Sequence, residues 1–138
     1  MKRLLMLLLA CLMLTACTQK PQEEPMKQPT DQTQSAYVNI SAEEAKRIMD
    51  SQTGYVILDV RTQEEFEEKY IPGAILIPYD EIEDKASAML QDKNQLILVY
   101  CRSGRRSKIA AEALEDMGYT NIKEFGGIND WPYETVGG

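Results

Sequence analysis

Residues 96–107 read LILVYCRSGRRS, and this stretch decides the fold class. Residues 96–100 form a continuous apolar run of strand length, which is typical of a strand buried on both faces of a parallel sheet. The run leads directly into a short loop with Cys101 and Gly104, and Ser107 opens a segment that we predict to be helical. A strand, a tight loop and a helix in this order indicate an α/β domain.

The same alternation extends on both sides of this stretch. The sequence predicts further strands at residues 38–40, 55–60, 74–77 and 122–125, and helices at residues 42–51, 64–70, 80–91 and 107–117. Ser41 and Thr62 each precede a glutamate by three residues, which is the pattern of a capping box at a helix start. We therefore expect an α/β sandwich around a mainly parallel sheet. Ligands bind such sheets at the carboxyl ends of the strands, where Cys101 is expected.

Composition restricts the function. The 138 residues have room for one ordinary domain. Their formal net charge of −7 argues against binding to nucleic acid and against electrostatic adhesion to anionic lipid. Histidine is absent, so the commonest general base and the commonest metal ligand are both missing. We expect no metal site and no cofactor.

The N-terminus has the pattern of an export signal. Lys2 and Arg3 precede an apolar run at residues 4–14, which is too short to span a bilayer but suits a signal peptide. Residues 14–17, LTAC, resemble the lipobox of bacterial lipoproteins. That resemblance implies removal of residues 1–16 and lipidation of Cys17 with fatty acyl groups such as palmitate. The chain would then be exported and anchored to the cell membrane or an outer membrane. A plain secretory signal is the alternative.

Residues 17–36 are predicted to be a disordered tether. Residues 18–36 contain three prolines, five glutamines and only two apolar residues, so the segment cannot bury enough surface to offset its ordering entropy. The folded domain is expected at residues 37–138.

Cys101 has the setting of a reactive thiolate. The first N–H groups of a helix have no partner within the helix, and Gly104 allows the loop to curl so that successive N–H groups point inward. Arg102, Arg105 and Arg106 add positive charge. Such surroundings lower a cysteine pKa without a general base. A small buried apolar residue at the end of a core strand is the alternative interpretation.

Five separated motifs resemble a single rhodanese domain. They are residues 56–61 (VILDVR), residues 65–66 (EF), residues 71–78 (IPGAILIP), residues 100–107 (YCRSGRRS), and residues 126–127 (GG) with 131–132 (WP). The resemblance implies a three-layer sandwich with a five-stranded parallel sheet and helices on both faces. It also implies sulfur transfer from thiosulfate or a similar anionic donor to a thiol or cyanide, through a persulfide on Cys101.

The resemblance also assigns roles. The loop residues Arg102, Ser103, Gly104, Arg105 and Arg106 would hold the persulfide sulfur and the anionic donor. Asp59 and Arg61 would support the loop from beside it or form a structural ion pair. Tyr70 stands where the family usually has a histidine, at a position that we do not expect to perform the chemistry.

Two other functions remain open. Phosphatases and arsenate reductases also use a cysteine–arginine loop, but the tyrosine phosphatase pattern has five residues between cysteine and arginine. Here four residues separate Cys101 from Arg106, and the smaller loop suits a single sulfur atom better than a tetrahedral anion. The second alternative is a sulfur carrier or redox partner with little turnover on thiosulfate.

Overall fold

The computed structural model describes residues 35–138, which form one sheet with helices on both faces. The strands are β1 (Tyr37–Asn39), β2 (Val56–Asp59), β3 (Ile75–Leu76), β4 (Ile97–Cys101) and β5 (Ile122–Gly127). The helices are α1 (Ala42–Ser51), α2 (Gln63–Glu68), α3 (Ile82–Met89) and α4 (Arg105–Asp116), with 3₁₀ turns at Tyr79–Glu81 and Ile128–Asp130. The predicted signal peptide, Cys17 and the tether up to residue 34 lie outside the described residues.

The sheet has the strand order β1-β5-β4-β2-β3, and every adjacent pair runs parallel. The predicted α/β fold with a five-stranded sheet is therefore confirmed. Strand β4 lies at the centre, so the residues that follow it emerge at the middle of the carboxyl edge of the sheet. This is the position where open parallel sheets bind ligands.

Side chains of β4 alternate between two apolar cores. Val99 and Cys101 face a core that contains Ala110 and Leu114 of α4, whereas Leu98 and Tyr100 face a core on the other side of the sheet. All five residues of β4 are buried. Full burial of each large aliphatic side chain stabilises the fold by roughly 1.5–3 kcal/mol, so β4 is firmly held. Cys101 therefore extends from a rigid strand rather than from a surface loop.

Two helices begin with the predicted caps. The Ser41 hydroxyl accepts a hydrogen bond from the Glu44 N–H at 3.1 Å. Thr62 and Glu65 form a complete capping box, in which Thr62 Oγ1 accepts from the Glu65 N–H at 3.3 Å and Glu65 Oε2 accepts from the Thr62 N–H at 3.1 Å. A cap of this kind stabilises a helix by about 1 kcal/mol.

Helix α4 begins at Arg105, two residues before the predicted start. The cap is Gly104, whose φ of 103° lies in the left-handed region that favours glycine. The prediction placed the start at Ser107. The consequence is functional, because Arg105 and Arg106 belong to the first turn of the helix and not to the loop.

The other boundaries differ by a few residues. The predicted helix at residues 80–91 is a 3₁₀ turn followed by α3. Helix α2 ends at Glu68, and Tyr70 instead pairs with Val136 in an antiparallel bridge. Within residues 35–138, none of the helices combines the length and the apolar character needed to cross a membrane.

Candidate active site

Cys101 ends β4 and lies under the N-terminus of α4. Its side chain is only 1% exposed, and its Sγ accepts a hydrogen bond from the Gly104 N–H at 3.0 Å. The hydroxyl oxygen of Ser107, in the first turn of α4, lies 3.5 Å from the same sulfur. The loop therefore closes over the sulfur with a backbone donor of its own and with a hydroxyl from the helix that follows.

These contacts favour the thiolate. Burial acts to raise the pKa of Cys101, but hydrogen bonds from Ser107 and from the backbone of Gly104 and Ser103 outweigh it. The pKa of Cys101 therefore lies below the ordinary value of a cysteine. A thiolate is the nucleophilic form, so this site favours nucleophilic chemistry in a chain that has no histidine.

Strand β5 holds the loop from the side. A Cβ atom added to Gly127 would lie 2.1 Å from the carbonyl oxygen of Arg102, so only glycine fits this approach. The Asn129 N–H, in the following 3₁₀ turn, donates to the same carbonyl at 3.2 Å. These two contacts fix the backbone of the loop at Arg102, the first residue after Cys101.

Arg106 pairs with a carboxylate of α2. Its two terminal nitrogens donate to the two carboxylate oxygens of Glu65 at 2.7 and 2.8 Å. This hydrogen bonding by Arg106 lowers the pKa of Glu65 to about 2. The charge of Arg106 is therefore largely neutralised by Glu65, which the sequence analysis identified as a capping residue and as part of a family motif but not as a partner of Arg106.

Arg102 in the loop and Arg105 in the first turn of α4 are exposed cations. Among the ion pairs of residues 35–138, neither arginine takes part. Both line an open cavity of about 560 Å³, together with Thr62, Glu65, Tyr79, Ser103 and Arg106. The cavity thus presents two uncompensated guanidinium groups, which suit a small anion.

Asp59 and Arg61 form a buried ion pair behind this region. Arg61 Nη2 donates to Asp59 Oδ2 at 2.6 Å and to the Lys69 carbonyl at 2.7 Å. Burial acts to lower the pKa of Arg61, but the hydrogen bond with Asp59 outweighs it and the pKa is raised. The pair ties the end of β2 to the segment after α2, and neither residue lines the cavity.

Glu124 is a site residue that the sequence analysis missed. It lies in β5, its side chain is 2% exposed, and its Oε1 accepts a hydrogen bond from the Ser107 hydroxyl at 2.5 Å. The same oxygen accepts from the Gly126 N–H at 2.9 Å. A charged residue inside a predicted strand was the available signal, because charged residues are rarely fully buried without a partner.

The described residues contain no cluster of three or more His, Cys, Asp or Glu side chains that could hold a metal ion. The predicted site residues at 101–106 are brought together around the carboxyl end of β4. Asp59 and Arg61 lie one strand away, since Asp59 pairs with Tyr100 in the sheet register.

Comparisons with known proteins agree with this arrangement. Residues 41–133 match the rhodanese-like domain family. The thiosulfate sulfurtransferase PspE of Escherichia coli (strain K12) is 40% identical over 73 residues, which cover 53% of this chain and 70% of PspE. The putative sulfur carrier protein YrkF of Bacillus subtilis (strain 168) is 38% identical over 102 residues, which cover 73% of this chain and 54% of YrkF. A solved structure of an E. coli rhodanese with anions aligns with a TM-score of 0.57 and 37% identity, covering 61% of this chain and 99% of that one.

Proposed function

The chain belongs to the rhodanese-like domain family, and on that premise we propose that it transfers sulfur through a persulfide on Cys101. The observation that carries the proposal is the hydrogen bond of 3.0 Å from the Gly104 N–H to Cys101 Sγ. This bond places a backbone donor on the nucleophile before any substrate binds. Donors that are already in position stabilise developing negative charge without reorganisation.

The reaction consists of two displacements. In the first, the Cys101 thiolate attacks the outer sulfur of thiosulfate or a similar anionic donor. A sulfur–sulfur bond forms to Cys101, and sulfite leaves with the electron pair of the broken bond. In the second, cyanide or a thiolate attacks the outer sulfur of the persulfide, and the Cys101 thiolate leaves. Each half-reaction is an ordinary covalent-catalysis step.

Arg102 and Arg105 are the groups that we assign to the donor anion. They are exposed, they take part in no ion pair among residues 35–138, and they line the cavity over the loop. Arg106 contributes less because Glu65 already holds both of its terminal nitrogens. Donor binding is therefore expected to depend on two surface charges and to weaken with added salt.

A sulfur-carrier role is the second candidate. The relative YrkF carries the name of a putative sulfur carrier. In addition, the side chain of Cys101 is 1% exposed, which would protect a stored persulfide from stray thiols. Under this role the chain would be loaded once and would release its sulfur only to a specific acceptor.

Mass spectrometry of the full chain tests the proposal. Incubation with thiosulfate should add about 32 Da at Cys101, and cyanide should remove this mass with release of thiocyanate. The tryptic peptide 94–102 isolates Cys101 from Cys11 and Cys17. Repeated turnover supports the enzyme, whereas a stable persulfide that cyanide discharges slowly supports the carrier. If no mass is added while the thiol remains reactive, sulfur transfer from thiosulfate is rejected, and phosphate esters and arsenate are tested next.

Lipidation of Cys17 is proposed from the sequence pattern of residues 2–17. Two or more acyl groups on Cys17 would anchor the protein stably to a membrane, whereas a single acyl group gives only marginal binding. Metabolic labelling with a palmitate analogue should mark the wild-type chain but not Cys17→Ser. An unlabelled wild-type chain recovered in the aqueous phase would favour the plain secretory signal.

A further inference from the structure

A buried row of three side chains leads away from the nucleophile. Cys101 Sγ lies 3.5 Å from Ser107 Oγ, and Ser107 Oγ lies 2.5 Å from Glu124 Oε1. The three side chains are 1%, 0% and 2% exposed, respectively. A carboxyl group is thus connected to the reactive sulfur by a single hydroxyl, away from bulk water.

The hydroxyl of Ser107 has one hydrogen, so it can donate to only one acceptor at a time. The carbonyl oxygens of Gly104 and Gly126 lie 3.1 and 3.3 Å from Ser107 Oγ, whereas Glu124 Oε1 lies at 2.5 Å. The shortest contact makes Glu124 the preferred acceptor. The Cys101 thiol can then donate its own hydrogen to the free lone pair of Ser107.

We propose that Cys101, Ser107 and Glu124 form a proton relay in which Glu124 holds the proton that Cys101 releases. In one arrangement the thiol donates to Ser107, and Ser107 donates to the Glu124 carboxylate. In the other, Glu124 carries the proton and donates to Ser107, and Ser107 donates to the Cys101 thiolate. One proton enters Ser107 and another leaves it, so the net charge of the row does not change.

The relay deepens the proposed function, because it rests on Cys101 being the nucleophile. It offers an internal proton acceptor to a chain without histidine. Glu124 acts on the sulfur through Ser107 and is therefore a positioning residue. The relay also explains why the carboxyl group of Glu124 is buried without a cation, since no ion pair of the described residues includes Glu124.

A purely structural role is the competing explanation. Glu124 Oε1 also accepts from the Gly126 N–H at 2.9 Å, and that bond alone would support the turn before Gly127. Titration separates the two explanations. Two other ionisable groups interact with the row. The pKa of Tyr37, in β1, is raised mainly by burial and further by the charges of Glu112, Glu124 and Glu115. The charge of Arg106, in α4, interacts with Cys101. Neither of them shares a proton with the sulfur.

The test is the pH dependence of Cys101 alkylation by iodoacetamide in the full chain, measured on peptide 94–102. Two groups that share one proton titrate in two macroscopic steps. The relay therefore predicts that the alkylation rate of the wild-type chain rises in two steps, separated by a plateau in which Glu124 holds the proton for part of the population. Iodoacetamide is neutral, so the arginines of the loop do not bias the profile.

Two variants interrupt the relay at different points. Glu124→Gln keeps an acceptor for Ser107 and for the Gly126 N–H but cannot take up a proton, so its profile should lose the lower step. Ser107→Ala removes the hydroxyl that connects Glu124 to the sulfur, so the alkylation rate of this variant at the plateau should be lower than that of the wild-type chain. Glu112→Gln is the matched control, since it removes a carboxylate from an exposed position of α4 and should keep both steps.

A single step in the wild-type chain, or an unchanged two-step profile in Glu124→Gln, would overturn the relay. If Glu124→Gln does not fold, as judged by circular dichroism, an unchanged plateau in Ser107→Ala overturns it instead. Alkylation reports on the thiolate without any sulfur donor. Failure of the relay is therefore distinguishable from failure of sulfur transfer, which the thiosulfate experiment measures.

Discussion

Arg106 and Glu65 make a two-point contact, with guanidinium nitrogens 2.7 and 2.8 Å from the two carboxylate oxygens. The contact joins the first turn of α4 to α2 across 41 residues of sequence. It engages Arg106 with Glu65, and it leaves Arg102 and Arg105 as the cations of the cavity that take part in no ion pair among residues 35–138. The arginines at residues 102–106 thus have two separate roles. Arg106 joins α4 to α2, whereas Arg102 and Arg105 are available to bind an anion.

The Arg106–Glu65 pair should make stability sensitive to acid. The pKa of Glu65 is about 2 in the folded chain, below its ordinary value of 4.5. The stabilisation is therefore fully present above about pH 4.5 and is lost as the pH falls toward 2. Because the pair is partly open to solvent, we expect a contribution on the order of 1 kcal/mol. Urea unfolding between pH 2 and pH 7 should show a smaller acid loss for Glu65→Gln, whereas Glu68→Gln should follow the wild-type chain.

Removing a free arginine should weaken donor binding. Arg102→Ala or Arg105→Ala is expected to raise the KM for thiosulfate by roughly fivefold, since an exposed charge contact contributes about 1 kcal/mol. The kcat should change little, and the salt dependence of KM should decrease. Lys108→Ala removes a positive charge from an exposed position that does not line the cavity and is the control. An equal effect of Lys108→Ala would mean that only the net charge matters.

Cys101→Ser should abolish sulfur transfer and leave the fold intact. Serine has nearly the volume of cysteine and can accept the same hydrogen bond from the Gly104 N–H. The free energy of unfolding should therefore stay within about 1 kcal/mol of the wild-type value. Thiocyanate production and thermal unfolding measure the two properties separately. Residual transfer by the variant at the wild-type rate would exclude Cys101 as the sulfur carrier.

Gly127→Ala should displace the catalytic loop. The added Cβ would lie 2.1 Å from the Arg102 carbonyl oxygen, which is far inside van der Waals contact, so β5 and the loop must move apart. We expect a destabilisation of about 3 kcal/mol and a loss of Cys101 reactivity. Gly54→Ala is the control, because a Cβ added to Gly54 meets no atom within 4 Å, although its φ of 77° lies in the left-handed region. It should cost about 1–2 kcal/mol and leave reactivity unchanged.

Much of this site is local in sequence and was predictable. Residues 96–107 alone place a cysteine between a buried strand and a helix N-terminus, and the structure has this arrangement. The start of α4 was wrong by two residues, because the cap is a left-handed Gly104 rather than a side-chain oxygen. That geometry depends on the close packing of β5 against the loop, which no local pattern encodes.

The partners of the loop were not predictable for a similar reason. Glu65 reaches Arg106 across 41 residues, and Glu124 reaches Ser107 across 17. Each glutamate had a sufficient local explanation, as a helix cap or as part of a strand. Only the strand order, which places β5 directly beside β4, brings Glu124 under the nucleophile.

The parallel sheet has a further consequence for how the domain can be mounted. Ser35 and Ala36 hydrogen-bond to Glu115 near the end of α4, so the chain enters at the amino edge of the sheet. Cys101 lies at the opposite edge, about 13 Å from the start of β4. Any support coupled through the residues before Ser35, whether a bead, a biosensor chip or a lipid bilayer, attaches at the edge opposite the reactive sulfur. An immobilised chain should therefore keep its accessibility to dissolved donors.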